Sequence, residues 1–291
     1  MDTRSWINLL KADPIPWLLE PDPTNPGVRF FTLVDLLGFS SASAEALQAR
    51  EAVMQTGPVP AILNAQAAGG YWVKPGPGYG PKYQGTVWSV IFLAQLGARG
   101  SDPRVKAGCE TVLENSPSTY GGFSMDGHNS GMIHCLQGNL AAALIDLGWL
   151  GDERLARALD WLARSITGEG IAPAEEKEAP VRYYRSGNSA PGYCCSANNH
   201  LPCAWGAVKA ALALGKVPEQ LRTAEMKRAI ETTAAFLLGG NPVEANYPQW
   251  AGGKPNRSWF QFGDGSAPGT AAAIPGPQAR TSLLMEPEIF E

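Results

Sequence analysis

The 291-residue chain lacks the features that mark membrane, secreted and nucleic-acid-binding proteins. No run approaches the roughly 18 consecutive apolar residues of a membrane helix, and the first residues do not have the pattern of a signal peptide. Lys and Arg are scarce, 23 against 27 Asp and Glu, and they form no basic block. We therefore expect a cytoplasmic protein with no membrane span, no nucleic-acid partner and a small organic substrate.

Cysteine is also scarce, and its placement is informative. Five cysteines in a chain of this length are too few for a secreted disulfide scaffold. Four of the five, together with all three histidines, fall in the segments "MDGHNSGMIHC" (125–135) and "YCCSANNHLPC" (193–203). These two segments are the candidate chemical site.

What the chain has in abundance is apolar helix. Four apolar segments end in Leu-Gly, a pattern that predicts helices capped by a left-handed glycine at Gly38, Gly97, Gly148 and Gly215. Amphipathic helices follow them, and Asp102 and Asp152 are predicted to cap two of these at the N-terminus. The pattern predicts buried inner helices covered by outer ones, preceded by a helix around Trp6 to Leu19.

Gln66, Gly70 and Trp72 resemble the Gln…Gly-x-Trp repeat of the terpenoid cyclase and protein prenyltransferase superfamily. The resemblance extends over roughly residues 13–263 and is greatest to a bacterial group with prenyltransferase- and squalene-cyclase-type repeats. It implies an all-α fold, an α/α toroid of repeated helical hairpins.

The sequence supplies four to five hairpins where a complete toroid has about six. We therefore predict an incomplete toroid domain over residues 1–263 and an irregular tail over 264–291, rich in Pro and Gly, with truncation or a frame shift near Gly263. An unclosed ring exposes apolar surface, so a homodimer is expected.

Consecutive inner helices are parallel neighbours in a toroid, so the two Cys-His segments should meet at one mouth of the barrel. Thiolate and imidazole together favour Zn²⁺. The predicted metal ligands are Cys135, Cys195, His200 and Cys203, and the predicted catalytic proton acceptors are Asp126, His128 and His134. The resemblance also implies zinc, because protein prenyltransferases hold a catalytic zinc at the barrel mouth. A metal-free Cys–His pair, or simple packing of small residues, remains an alternative.

The sequence also lacks motifs on which several classes of reaction depend. The chain has no Asp-rich acid motif, no paired Asp cluster for Mg²⁺ and no Gly-x-Ser-x-Gly elbow, and its inner helices carry almost no basic residue beyond Lys209. We predict a zinc-dependent hydrolase of small apolar esters or phosphoesters. Its substrate-binding residues are expected to be Tyr83, Trp88, Tyr193 and Trp205. The alternatives are an isoprenoid- or lipid-binding toroid with a structural zinc, and a prenyltransferase-like protein with a thiol-activating zinc.

Overall fold

The computed structural model describes residue 7 and residues 10–169, 189–239 and 247–248. This part of the chain is mostly helical, which confirms the all-α class. None of the described helices is long and apolar enough to cross a membrane. The predicted tail, 264–291, and the predicted break near Gly263 lie outside the described residues.

The described residues contain ten α-helices and one small sheet. The helices are α1 Ile15–Leu18, α2 Gly27–Phe31, α3 Ala44–Gln55, α4 Pro58–Asn64, α5 Thr86–Gln95, α6 Pro103–Asn115, α7 His134–Asp146, α8 Glu153–Thr167, α9 Ala204–Lys216 and α10 Ala224–Leu238. Helix α2 continues directly into a π-helical turn, Thr32–Leu36. The strands β1 Ser189–Ala190, β2 Cys194–Cys195 and β3 Leu201–Pro202 are antiparallel in the order β1-β2-β3.

Helices α5 to α10 form two layers. Helix α7 packs between α5 and α9, while α6, α8 and α10 each pack on the helix that precedes them, and α8 also contacts α10. The inner helices α5 and α7 are buried on nearly all sides, whereas α8 buries one stripe that includes Leu155, Leu159, Leu162 and Ile166. The alternation of inner and outer helices is therefore as predicted over this part of the chain. Closure into a toroid remains a prediction.

The local signals at helix ends were mostly predicted correctly. Gly97 and Gly148 have φ of +85° and +90°, and the Asp102 and Asp152 carboxylates each accept a backbone N–H bond of 2.8 Å in the first turn of α6 and α8. The cap predicted at Gly215 is wrong, because α9 continues through this residue to Lys216. This helix ends before Pro218, which disfavours helical geometry in the residue preceding it.

The start of the helix predicted around Trp6 to Leu19 lies mostly outside the described residues. Across residues 10–19 the structure has one short α-helix, Ile15–Leu18. Its start is set by Pro14, which fixes the backbone, and by the Asp13 carboxylate, which accepts a 2.9 Å bond from the Ile15 N–H.

The Gln66, Gly70 and Trp72 motif is a structural brace. The Gln66 side-chain amide donates to the carbonyls of Gly70 (3.1 Å) and Arg104 (2.9 Å), and the Trp72 indole donates to the Ile62 carbonyl (2.7 Å). The motif thus joins the end of α4 to the first turn of α6, and it fixes the turn that leads toward α5.

The inner helices α7 and α9 make backbone contact at Gly138. A β-carbon at this position would lie 2.3 Å from the carbonyl carbon of Lys209, which is far inside van der Waals contact. Only glycine therefore permits this approach, and it places the next residue on α7, Asn139, beside Lys209 on α9.

We predict that Gly138→Ala destabilises the protein by about 1–3 kcal/mol or more, because the new methyl group forces the two helices apart. Gly215→Ala is the matched control on α9, since a β-carbon there meets nothing within 4 Å. It should be neutral or stabilising by about 0.4–1 kcal/mol. Urea unfolding of both variants measures the difference, and a Gly138→Ala protein as stable as the wild type would contradict the close packing.

Candidate functional site

A cavity of about 350 Å³ lies among α5, α7, α9 and the β2–β3 hairpin. Five aromatic side chains line it, namely Tyr79, Tyr83, Trp88, Tyr193 and Trp205. Four of these are the residues predicted to bind substrate. Trp88 is held by a 2.7 Å bond from its indole N–H to the Tyr79 carbonyl, and its ring packs against the rings of Tyr79 and Tyr83. The walls are therefore suited to a small apolar molecule.

All three cysteines that were predicted to bind the metal border the same cavity. Cys135 lies in the first turn of α7, Cys195 in β2, and Cys203 immediately before α9. The structure therefore brings the two Cys-His segments together, as the sequence predicts, although some sixty residues separate them in the chain.

Three other predicted residues are not brought to the cavity. Asp126 and His128 are exposed, and the Asp126 carboxylate accepts bonds from the His128 N–H (3.0 Å) and the Ser124 hydroxyl (2.9 Å). Burial opposes ionisation of Asp126, but these bonds together outweigh it and hold the pKa of Asp126 below the ordinary value. Asp126 thus closes a turn. His200 is exposed at the tip of the β2–β3 hairpin, with a left-handed φ of +61°.

His134 borders the cavity but is engaged elsewhere. Its Nε2 lies 3.1 Å from the Ser165 hydroxyl of α8, and its ring meets the edge of Tyr193 with centroids 5.1 Å apart. Burial lowers its pKa to about 4, so the imidazole is neutral at pH 7 and is a weak base. It joins α7 to α8 and supports Tyr193.

The His134 environment predicts an acid-sensitive fold. Its pKa is near the ordinary value of about 6.5 in the unfolded chain and about 4 in the folded one, so the unfolded state binds the extra proton between these values. Stability should therefore fall as the pH decreases from 6.5 to 4, by at most about 1.4 kcal/mol per pH unit from this group. His134→Gln should flatten the pH dependence measured by urea unfolding. An unchanged slope would show that His134 is not the group responsible.

Cys195 and Cys203 form a coupled thiol pair. Cys195 pairs with Leu201 across the hairpin, so Cys203, two residues further, lies diagonally opposite on the same face. The Cys203 thiol hydrogen-bonds to the Cys195 sulfur, and this bond, against the opposing effect of burial, holds the pKa of Cys195 below its ordinary value. The backbone N–H groups of Ala197 and Asn198 contribute to the same shift. The Cys203 pKa is raised correspondingly. The ionised form of Cys195 is thus favoured relative to that of an ordinary cysteine.

The cavity also contains two polar residues that sequence reasoning did not assign to it. Lys209 is 7% exposed, its ammonium lies 4.3 Å from the centroid of the Trp205 ring, and burial lowers its pKa to about 8. Asn139 is 6% exposed, and its side-chain oxygen has no hydrogen-bond partner among the described residues. Their spacing in the sequence could have identified them. Asn139 follows Cys135, and Lys209 follows Trp205, by one helical turn on largely apolar helices.

Zinc binding remains a prediction. Cys135, Cys195 and Cys203 are donors that suit zinc. However, across residues 10–169 and 189–239 no group of three or more His, Cys, Asp or Glu side chains is arranged to hold a metal ion.

No protein-family model and no curated protein matches this chain. The resemblance to the terpenoid cyclase and prenyltransferase superfamily therefore rests on the sequence motifs, and the site must be interpreted from its own chemistry.

We predict that iodoacetamide modifies Cys195 first, with a rate that rises with pH and reaches half its maximum below the pH expected for an ordinary cysteine, because only the thiolate reacts. Cys109 is the internal control, since burial raises its pKa to about 12 and it should stay unmodified. In Cys203→Ala the midpoint should move upward, because the donor to the Cys195 sulfur is lost. Peptide mass spectrometry measures both rates, and a midpoint unchanged by Cys203→Ala would disprove the coupling.

Proposed function

We propose that the protein is a hydrolase of small apolar esters in which Cys195 is the nucleophile. The observation that carries this proposal is the position of Cys195 in the wall of an aromatic cavity, with the Cys203 thiol as its hydrogen-bond partner. A lowered thiol pKa beside a substrate-sized cavity is typical of covalent catalysis.

The reaction proceeds in two steps. The Cys195 thiolate attacks the ester carbonyl, the carbon–oxygen bond to the alcohol breaks, and a thioester forms on Cys195. The departing alkoxide takes a proton from the Cys203 thiol, which is the protonated member of the cysteine pair. Water then hydrolyses the thioester, releases the acid and returns the lost proton. The stabilising bonds from Ala197 and Asn198 keep Cys195 ionised between turnovers.

The aromatic walls supply binding and orientation. Tyr193 is buried and packs between His134 and Phe236, with centroid distances of 5.1 and 5.8 Å, and it cannot rotate away without disturbing both. Tyr83, in contrast, is partly exposed and lies where the cavity opens. Rigid aromatic walls around a thiolate favour an apolar acyl group over a charged one.

Zinc-dependent hydrolysis is the second candidate. It is favoured by the convergence of Cys135, Cys195 and Cys203 on one cavity, where these thiols would hold the ion and the ion would supply activated water. We favour the metal-free nucleophile because the described side chains are not arranged as a ligand set. A cytoplasmic location belongs to either proposal, since a thiolate requires a reducing compartment. The homodimer remains a prediction from the sequence.

The test is pre-steady-state hydrolysis of p-nitrophenyl butyrate. The wild type should release a burst of one nitrophenolate per chain and gain a butyryl group on Cys195 by mass spectrometry. Cys195→Ala should lose both, with activity reduced by about 100-fold or more. Cys194→Ala, which removes the neighbouring thiol, is the matched control and should retain the burst.

Metal analysis of the same preparation separates the two candidates. About one zinc per chain, with activity lost on chelation and restored by zinc, would replace the metal-free mechanism with the zinc one. Equal activity of wild type and Cys195→Ala without metal would exclude both. An inactive protein that still binds the ester or its acid would instead be the predicted isoprenoid- or lipid-type binding protein.

A further inference from the structure

We infer that Lys209 and Asn139 form a head-group subsite that binds one carboxylate and an adjacent hydroxyl, so that the cavity selects apolar hydroxy acids or their derivatives. The inference rests on the proposed function in that it names the substrate class of the same cavity. It concerns binding, however, and can be tested without turnover.

Lys209 is a buried cation. Among the residues that the structure describes, no carboxylate forms an ion pair with it, and its ammonium lies over the Trp205 ring. Nearby Cys135 and Cys203 favour its charged form, but burial outweighs them. A buried ammonium is costly unless an anion pairs with it. The cavity is the space from which such an anion can approach.

Asn139 is the second residue of the proposed subsite, and its side-chain oxygen requires a hydrogen-bond donor. Its side-chain oxygen is fully buried and accepts no hydrogen bond from the part of the chain that the structure describes, although most buried polar groups in folded proteins are satisfied. The residue lies one turn beyond Cys135 on the cavity side of α7. An amide oxygen only accepts, so the ligand group that satisfies it must be a donor, such as a hydroxyl.

The two groups lie at one place in the fold. The backbone contact at Gly138 brings Lys209 against α7 immediately beside Asn139. Adjacent substituents of one ligand can therefore engage both residues, and a 2-hydroxy acid carries the required acceptor and donor on neighbouring carbons. Its apolar body then faces the aromatic walls.

Among the described residues, Lys209 carries the one buried ammonium at the cavity, and this limits the charge of the ligand. Lys82, the other described Lys or Arg residue that borders the cavity, is exposed and lies over the Tyr83 ring at 5.5 Å. A diphosphate would leave negative charge unpaired in an apolar cavity, whereas a monoanionic carboxylate is matched by Lys209.

The test is isothermal titration of Cys195→Ser protein with three probes of equal apolar body: 2-hydroxy-2-(2-naphthyl)acetate, 2-naphthylacetate and 2-(2-naphthyl)ethanol. We expect the hydroxy acid to bind most tightly and the alcohol most weakly, with about tenfold in Kd between successive probes. Lys209→Met should remove the preference for the acid over the alcohol and leave the Kd of the alcohol unchanged. Asn139→Leu, which is nearly isosteric, should remove only the preference for the hydroxy acid over 2-naphthylacetate.

Lys82→Met is the matched control and should keep the full order of affinities. Equal affinity for the three probes, no binding of any of them, or an equal loss for all three in Lys209→Met would overturn the inference. Tighter binding of 2-naphthyl phosphate than of 2-naphthylacetate would overturn the single-charge assignment. If the order of affinities holds while the wild type hydrolyses no ester, the subsite stands and the esterase proposal fails.

Discussion

The site depends on the close approach of α7 and α9 at Gly138. Helices that touch through their backbones leave no room for side chains at the point of contact, so the residues on either side of it are directed outward from the crossing. Asn139 and Lys209 are therefore held beside each other, and Cys135 and Trp205, each one turn earlier, line the same cavity. The same contact is the most extensive between any two inner helices, and it fixes the cavity wall as a rigid unit.

The chemistry of the cavity arises because its ionisable groups lie in apolar surroundings that change their pKa values. Burial disfavours charge on Lys209 and Cys135, while the hydrogen bonds of the β2–β3 hairpin favour charge on Cys195. The hairpin is short, but its register places Cys203 diagonally opposite Cys195. The electrostatic energies of a thiolate and an ammonium that border one apolar cavity depend strongly on the ligand that occupies it. For this reason we interpret Cys195, the reactive group, together with Lys209, the group that recognises the ligand.

The sequence predicted the helical layers well because their signals are local. Glycine caps at Gly97 and Gly148 and aspartate caps at Asp102 and Asp152 act within one turn, and the apolar periodicity of α8 reports which face is buried. The same local reasoning misplaced the cap at Gly215. A glycine in a helix resembles a glycine that ends one until the residues beyond it, here Val217 and Pro218, are taken into account.

By itself the sequence determined the all-α class and the alternation of buried and covering helices, because these follow from periodicity and turn chemistry. The aromatic lining and the convergence of the two Cys-His segments were predicted from the toroid arrangement that the motif resemblance implies. The tertiary structure decided which members of those segments face the cavity. His134 is turned toward Ser165, His200 stands at an exposed hairpin tip and Asp126 closes its own turn, whereas Lys209 and Asn139 become neighbours across two helices. Side-chain direction and hydrogen-bond partners are set by contacts between distant segments, and residue type and spacing carry no record of them.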